Sequence, residues 1–197
     1  GDLLYLPPGW AHEGVALGDD CMTYSIGMRA PDRASLAGEL VVRLAESFED
    51  DTWYRDAGAP PPPRPAAIPA ALETFAADAV RRLTTRSAAL RRALGEVLTE
   101  PKPNVWFRKN DARWQLGALA LDRRTRRRYD ATHAFINGEA VPLRGHDATL
   151  LRRLADERAI DLRAHGRLDA RTGALLREWL AAGWLSIEKR ASRREPP

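Results

Sequence analysis

Apolar residues recur at steps of three and four positions in the middle of the chain, which is the spacing of one face of an α-helix. The first such stripe predicts a helix from about Asp32 to Trp53, and Asp32 or Ser35 can cap its start. Its apolar positions are Leu36, Leu40, Val41, Leu44 and Phe48. The helix is therefore expected to pack by one face.

A second, longer stripe predicts helical structure from Pro69 to about Leu98, because proline is favoured in the first turn of a helix. Residues 84–87 interrupt the stripe, so a break into two helices is expected there, and Pro101 and Pro103 end the run. Its apolar positions are Leu72, Phe75, Ala79, Val80, Leu83, Leu90, Leu94 and Val97. Between the two stripes, residues 59–65 include five prolines and predict an extended strap.

The pattern changes to strands after residue 104. Trp114–Leu121 and Arg127–Asn137 are predicted strands. Asn137-Gly138 is a hairpin-turn signal, so Glu139–Leu143 is expected to pair back. The part of the chain after residue 104 is therefore expected to form a separate unit.

Two shorter helices and a last strand are predicted to complete that unit. The first helix carries Leu150, Leu151 and Leu154 on one face. Asp169 is placed to cap the second, and Gly183 to end it at the position where glycine is favoured. Its inward residues are predicted to be Leu175, Leu176, Trp179 and Leu180, and Trp184–Ile187 is predicted as a closing strand.

The first residues predict strand, tight turn and strand. Leu3–Leu6 is a short apolar run, Pro7-Pro8-Gly9 must turn the chain, and Trp10–Val15 returns. His12 lies in the returning segment, where a rigid turn fixes its direction, and a metal ligand needs such placement. Cys21–Met28 is the next predicted strand.

Alternate residues of a strand share a face, so Thr23 and Ser25 are expected to point the same way. If that face is an interior, their hydroxyls can bind a carboxylate; otherwise they are ordinary polar strand residues. Cys21 is expected to be a buried small residue, and as the single cysteine it excludes an internal disulfide and suits a reducing cytoplasm.

Composition narrows the classes of function. No apolar run approaches the roughly 20 residues of a membrane span, so no membrane partner is expected. The net charge of +4 allows contact with nucleic acid or a ribosomal surface without requiring it. The arginine-rich run 123–128 is expected to be a solvated hairpin, and the helix after Asp169 is too sparse in basic residues to read DNA. His133, His146 and His165 have no metal-ligand spacing and are assigned no site.

The spacing of Gly1, Pro7, Gly9 and His12 resembles the second signature of the cupin barrel, although Ala16 stands where that signature has asparagine. The Pro-Pro-Gly-Trp-x-His form is similar to the JmjC branch of cupins. The continuation through residues 23–31, Thr-Tyr-Ser-Ile-Gly-Met-Arg-Ala-Pro, resembles the bacterial ribosomal oxygenases. The resemblance is strongest over the first thirty or so residues and weaker behind them.

This resemblance implies an α+β chain with three parts. Residues 1–31 would be the C-terminal strands of a JmjC/cupin (double-stranded β-helix) barrel, residues 32–104 a helical dimerisation region with its Pro-rich strap, and residues 105–197 a winged-helix-like domain and tail. Because the family's first histidine and carboxylate lie upstream of the signature, the chain is expected to be the C-terminal portion of a longer protein.

The implied activity is that of an iron(II)- and 2-oxoglutarate-dependent oxygenase that hydroxylates a ribosomal protein, at an arginine of a large-subunit protein. His12 would be the metal ligand and catalytic residue, and Thr23 and Ser25 would contact the co-substrate. A homodimer and a cytoplasmic location are expected, DNA is not an expected partner, and the chain alone is expected to be inactive. Two alternatives stay open: a cupin sensor joined to a DNA-binding winged helix, and a cupin without metal that acts in assembly.

Overall fold

The computed structural model describes residues 3–27, 30–58, 60, 62, 64, 66–111, 114 and 117–187. The chain forms two compact units, Gly1–Glu39 and Leu40–Pro197. None of the helices in the described ranges has the length and apolarity needed to cross a membrane. Four of the seven residues of the predicted Pro-rich strap, and the basic tail after residue 187, lie outside the described residues.

The first unit has the predicted turn without the predicted strands. The backbone N–H of Trp10 donates to the carbonyl oxygen of Pro7 at 3.3 Å, and Gly9 has a φ of +81°, which favours glycine. The strands predicted at residues 3–6, 10–15 and 21–28 are not formed in the described residues, so that part of the prediction was wrong for this structure. A strand is completed by ladder hydrogen bonds to a neighbour, and no ladder includes these residues.

Helix α1 spans Arg33–Glu46. Its start is capped as predicted, because the Asp32 carboxylate accepts the backbone N–H of Ser35 at 2.9 Å. It ends before the predicted Trp53, since Glu49, Asp50 and Asp51 would place negative charge at the negative end of the helix dipole. Asp50 instead accepts the backbone N–H of Thr52 at 3.2 Å, which favours a turn.

The second stripe forms two helices, α2 (Ala70–Thr84) and α3 (Ser87–Thr99), so the predicted break near residue 85 is confirmed. Helix α2 begins one residue later than predicted, because Pro69 is its N-cap residue rather than its first helical residue. Helix α3 ends ahead of Pro101. The helix lies close to the β-sheet that follows. At Gly95 the approach leaves no room for a side chain, since an added Cβ would lie 2.4 Å from the ring of Phe135.

Two three-stranded antiparallel sheets follow. In the first, strand β1 (Ala118–Leu121) lies between β5 (Ala159–Asp161) and β6 (Leu185–Ile187). β1 and β6 fall within predicted strands, whereas β5 was not predicted. In β1 the side chains of Leu119 and Leu121 are buried and those of the alternate residues are half-buried, as a strand with one inward face requires.

The second sheet has the order β2 (Arg127–Tyr129), β3 (His133–Ile136) and β4 (Glu139–Pro142). The strand predicted over residues 127–137 was wrong, because it is two strands. The Asp130 carboxylate accepts the backbone N–H groups of Thr132 and His133 at 2.6 and 2.7 Å and turns the chain there. The predicted Asn137-Gly138 turn is confirmed: both residues have positive φ, of 46° and 88°.

Helices α4 (Ala148–Glu157) and α5 (Ala170–Ala181) complete the second unit, with a short 3₁₀ turn at Leu162–Ala164 between them. Asp169 caps α5 as predicted, since its carboxylate accepts the backbone N–H of Thr172 at 2.7 Å. Gly183, with a φ of +77°, ends it as predicted. One core joins both helices to both sheets, and its members with almost no exposure are Leu119, Leu150, Leu154, Leu162, Leu176 and Leu185. Each such leucine contributes about 1.5–3 kcal/mol by burial.

Candidate metal centre

His12 lies two residues after the Pro7–Trp10 turn, on the exposed surface of the first unit. Its Nδ1 is 3.3 Å from the carbonyl oxygen of Trp10, which can accept the ring hydrogen at that position. Such a bond holds the imidazole as the tautomer whose Nε2 keeps a lone pair. His12 therefore offers one nitrogen to a metal ion.

Thr23 and Ser25 are also exposed, and no described hydrogen bond joins either of them to His12. The interior face that the sequence predicts for these three residues is not formed in the described structure. Cys21 is exposed rather than buried as expected, and its thiol is free. The roles of His12, Thr23 and Ser25 stay predictions.

The second unit brings together a cluster that the sequence did not reveal. His146, Asp147 and His165 each place a ligand atom within 4.8 Å of the others. The rings of His146 and His165 are stacked, with centroids 4.7 Å apart. His146 is exposed, His165 is half-buried and Asp147 is only 1% exposed. This is the one group of three or more such side chains with metal-binding geometry among the described residues.

Asp147 is the most firmly held side chain of this cluster, because both of its carboxylate oxygens accept hydrogen bonds. His165 Nε2 donates to one carboxylate oxygen at 2.9 Å, and the backbone N–H of Asp169 donates to the other at 2.9 Å. Burial raises the pKa of Asp147, but these hydrogen bonds outweigh burial and leave its pKa below the ordinary value. The side chain is thus a carboxylate that connects the start of α4 to the start of α5.

Sequence spacing could not reveal the cluster, because its members come from two separate turns. Gly145 and His146 precede α4, and His165 follows the 3₁₀ turn. The available signal was local: Asp147 immediately before a helix is a typical cap position. Its side chain makes no cap bond to α4 and is used for the tertiary contact instead.

The basic residues of the second unit are largely engaged with protein groups. Arg124 pairs with Asp122 at 2.8 Å, and Arg127 donates to the carbonyl oxygen of Ala155 at 2.8 Å. On α5, the guanidinium of Arg177 lies 5.1 Å from the ring centre of Trp114, a cation–π contact. The expected solvated arginine hairpin is therefore partly a set of tertiary contacts.

Comparison with known proteins adds two family matches. The JmjC domain family matches residues 1–36, and the ROXA-like winged helix family matches residues 79–186. A curated relative, the ribosomal protein uL16 3-hydroxylase of Escherichia coli (strain K12), is 38% identical over 68 residues, which are 34% of this chain and 18% of that protein.

Solved structures of YcfD, a ribosomal oxygenase from Escherichia coli, share the fold. The structure with cobalt and succinic acid has a TM-score of 0.65 at 17% identity, and it covers 82% of this chain and 48% of its own. The structure with cobalt and 2-oxoglutarate has a TM-score of 0.64 at 18% identity, with coverage of 82% and 47%. The chain thus spans about half the length of these structures and less than a fifth of the curated relative.

The winged-helix match extends from within α2 to β6 and agrees with the observed sheets and helices. It accounts for more than half of the 197 residues. The JmjC match includes His12 and the turn before it. The predicted resemblance is thereby confirmed, and the chain belongs to the ROXA-like winged helix family.

Proposed function

We propose that the chain is part of an iron(II)- and 2-oxoglutarate-dependent oxygenase that hydroxylates a ribosomal protein. The observation that carries the proposal is the JmjC match over residues 1–36, a range that includes His12 and the constrained turn before it. The relative that hydroxylates uL16 and the structural neighbours that hold cobalt with succinate or 2-oxoglutarate support the same activity. They favour it over a DNA-binding cupin sensor.

The donor chemistry of His12 fits iron. Non-haem iron oxygenases hold the metal with two histidines and one carboxylate and leave positions open. His12 would supply one imidazole through Nε2, while its Nδ1 stays with the carbonyl oxygen of Trp10. When bound, iron and 2-oxoglutarate supply the activation of dioxygen that adds one oxygen atom to the substrate.

The other ligands would come from outside residues 1–36 of this chain. Many apolar side chains in that segment are exposed, for example Leu3 (96%), Leu17 (91%) and Tyr24 (85%). Exposed apolar surface of this extent is typical of a segment that packs against further protein. If that further protein completes the expected cupin barrel around this segment, Thr23 and Ser25 would contact the co-substrate by donating hydroxyl hydrogens to its carboxylate.

The substrate class is a side chain of a ribosomal protein, and we propose an arginine of a large-subunit protein because the resembled family modifies that residue. The proposed location is the cytoplasm, where ribosomes are found and where a free, exposed thiol such as Cys21 stays reduced. The proposed assembly is a homodimer formed through α1, α2 and α3. The winged-helix part would contact protein rather than DNA. Arg177, one of the few basic residues of α5 that could read bases, is already engaged with the ring of Trp114.

The test is a hydroxylation assay with a protein that contains the complete JmjC domain together with this chain. A large-subunit ribosomal protein is incubated with iron(II) and 2-oxoglutarate, and mass spectrometry records the gain of one oxygen atom. His12→Ala removes one of three expected ligands, so it should abolish or severely reduce the gain. Asp20→Ala, an exposed change in the next turn, is the matched control and should keep it.

The 197-residue chain alone should give no oxygen gain, because His12 without the two other ligands expected at its centre does not hold iron(II) well in water. Full hydroxylation by the His12→Ala protein would remove the residue-level support for the proposal. Salt-dependent, sequence-selective binding to duplex DNA, together with no oxygen gain in the unaltered protein, would favour the regulator instead.

A further inference from the structure

The His146–Asp147–His165 cluster lies in the second unit, on turns that the proposed iron centre does not use. Two of its three groups are held in place by the fold. Asp147 is almost completely buried and its two carboxylate oxygens are hydrogen-bonded to His165 and to the backbone of Asp169. His165 is in turn fixed by this bond. A ligand pair this constrained loses little side-chain entropy when it binds an ion.

The third group is free to complete a site. His146 is exposed, its ring stacks on His165, and all three ligand atoms lie within 4.8 Å of one another. Ligands on one tetrahedral ion with bonds of roughly 2.0–2.1 Å lie about 3.4 Å apart, so the closure required is on the order of 1.5 Å. A change in the exposed His146 side-chain torsions supplies it without moving the core.

The hydrogen bond between His165 and Asp147 indicates where the ion would lie, because the ion would replace its proton. His165 Nε2 and Asp147 Oδ1 are 2.9 Å apart, so this pair needs to open by only about 0.5 Å to reach the spacing of two ligands on a tetrahedral ion. The other Asp147 oxygen keeps its bond from the Asp169 N–H, which orients the carboxylate as outer hydrogen bonds do in metal sites.

We propose that His146, Asp147 and His165 bind a divalent first-row transition-metal ion such as Zn²⁺. Two imidazoles and one carboxylate suit zinc, cobalt, nickel or copper, whereas calcium and magnesium prefer oxygen ligands alone. Water would fill the remaining positions on the exposed side. The bound ion connects the turn before α4 with the turn before α5, two elements that pack in the winged-helix core.

The test is titration of the untagged protein with Zn²⁺ by calorimetry and with Co²⁺ by visible absorption. We expect one ion per chain at this site, competition between Zn²⁺ and Co²⁺, no competition by Ca²⁺, and a raised Tm with Zn²⁺. His146→Ala removes an exposed ligand, so its fold should persist by circular dichroism, and its affinity for Zn²⁺ should fall at least about tenfold.

Thr149→Ala is the matched control, because it removes another exposed side chain close to the cluster in sequence and should leave Zn²⁺ affinity unchanged. A second readout uses paramagnetic shifts: Co²⁺ should displace the ring resonances of His146 and His165 and spare those of His133. Equal Zn²⁺ binding by His146→Ala, no binding by the unaltered protein, or an equal loss of binding in Thr149→Ala would each overturn the proposal. None of these results depends on hydroxylase activity.

Discussion

At Gly183 the chain turns back after α5, with a φ of +77° that only glycine adopts at low cost. The backbone N–H groups of Gly183 and Trp184 donate to the carbonyl oxygens of Leu180 and Trp179, at 3.0 and 2.9 Å. This is the hydrogen-bond pattern of a Schellman motif. A Cβ added at Gly183 would lie 2.0 Å from the carbonyl oxygen of Arg108, which is backbone and cannot rotate away.

Gly183→Ala should therefore destabilise the second unit strongly. The left-handed backbone alone costs about 1–2 kcal/mol for a residue with a side chain, and the clash with Arg108 adds to that cost. Urea unfolding should show a lower midpoint for the variant. Gly117→Ala is the control, because its added Cβ meets nothing within 4 Å and its φ is not in the positive range. A midpoint for Gly183→Ala equal to that of Gly117→Ala would contradict this account.

Single residues differ in how far the sequence predicts them. The caps at Asp32 and Asp169 and the glycine at 183 were predictable, because each acts on backbone groups within a few residues. The partnership of His146 with His165 was not, since it depends on how two turns meet in space. His12 was recognisable from its motif, but the other ligands of its expected metal ion do not lie beside it in the described part of the structure.

Among the elements, the β2–β3 turn depends on one carboxylate. Burial raises the pKa of Asp130, but the backbone N–H groups of Thr132 and His133 and the Thr132 hydroxyl all donate to it and leave its pKa below the ordinary value. A carboxyl group with a lowered folded-state pKa binds its proton more readily in the unfolded chain. Its contribution to stability is therefore present above the unfolded pKa of about 3.9 and is lost as the pH falls through the folded pKa.

Asp130→Asn should reveal this contribution. Asparagine keeps the shape and one acceptor oxygen but no charge, so the variant should be less stable than the unaltered protein at pH 7. The difference in the free energy of unfolding should shrink as the pH falls below about 4, because aspartate is then protonated in the unfolded chain and, at lower pH, in the folded protein as well. Urea unfolding across this range measures it. A difference that stays constant down to pH 3 would show that the charge of Asp130 contributes nothing.

The same turn explains why one long predicted strand became a hairpin. Residues 127–137 alternate well enough to suggest a single strand, but the Asx turn at Asp130 provides three local hydrogen bonds that a continuous strand lacks. The end of α1 has a similar cause, since the acidic residues after Glu46 oppose helix continuation. Boundaries were missed where a short polar side chain competes with the regular backbone pattern.

For the whole molecule, the elements of the winged-helix part were largely predicted, whereas the strands predicted at residues 3–6 and 10–15 are not formed in the described structure. The second unit contains its own core, so its apolar periodicities correspond to real packing. The first unit lacks strand partners in the described structure, so strand-like sequences at residues 3–6 and 10–15 have no ladder to join. Sequence pattern specifies a strand only when the chain also supplies its neighbour.

The helices α1, α2 and α3 carry the last prediction, the homodimer. Helix α2 has no buried residue along its 15 positions, although its apolar stripe is continuous. On these helices Val42 is 63% and Val80 61% exposed, and Leu90 is 37% exposed. Burying a side chain of this kind contributes about 1.5–3 kcal/mol, so a second copy that covers the stripe would be held firmly.

Val80→Glu or Leu90→Glu should then yield monomers in light scattering, because an unpaired carboxylate in an apolar interface is costly. Thr74→Glu is the matched control: it adds the same charge to α2 at an exposed position away from Val80 and should stay dimeric. None of the three positions belongs to the buried core of the second unit, so all three variants should keep the circular dichroism of the unaltered protein. An unaltered protein that is monomeric at high concentration would contradict the homodimer.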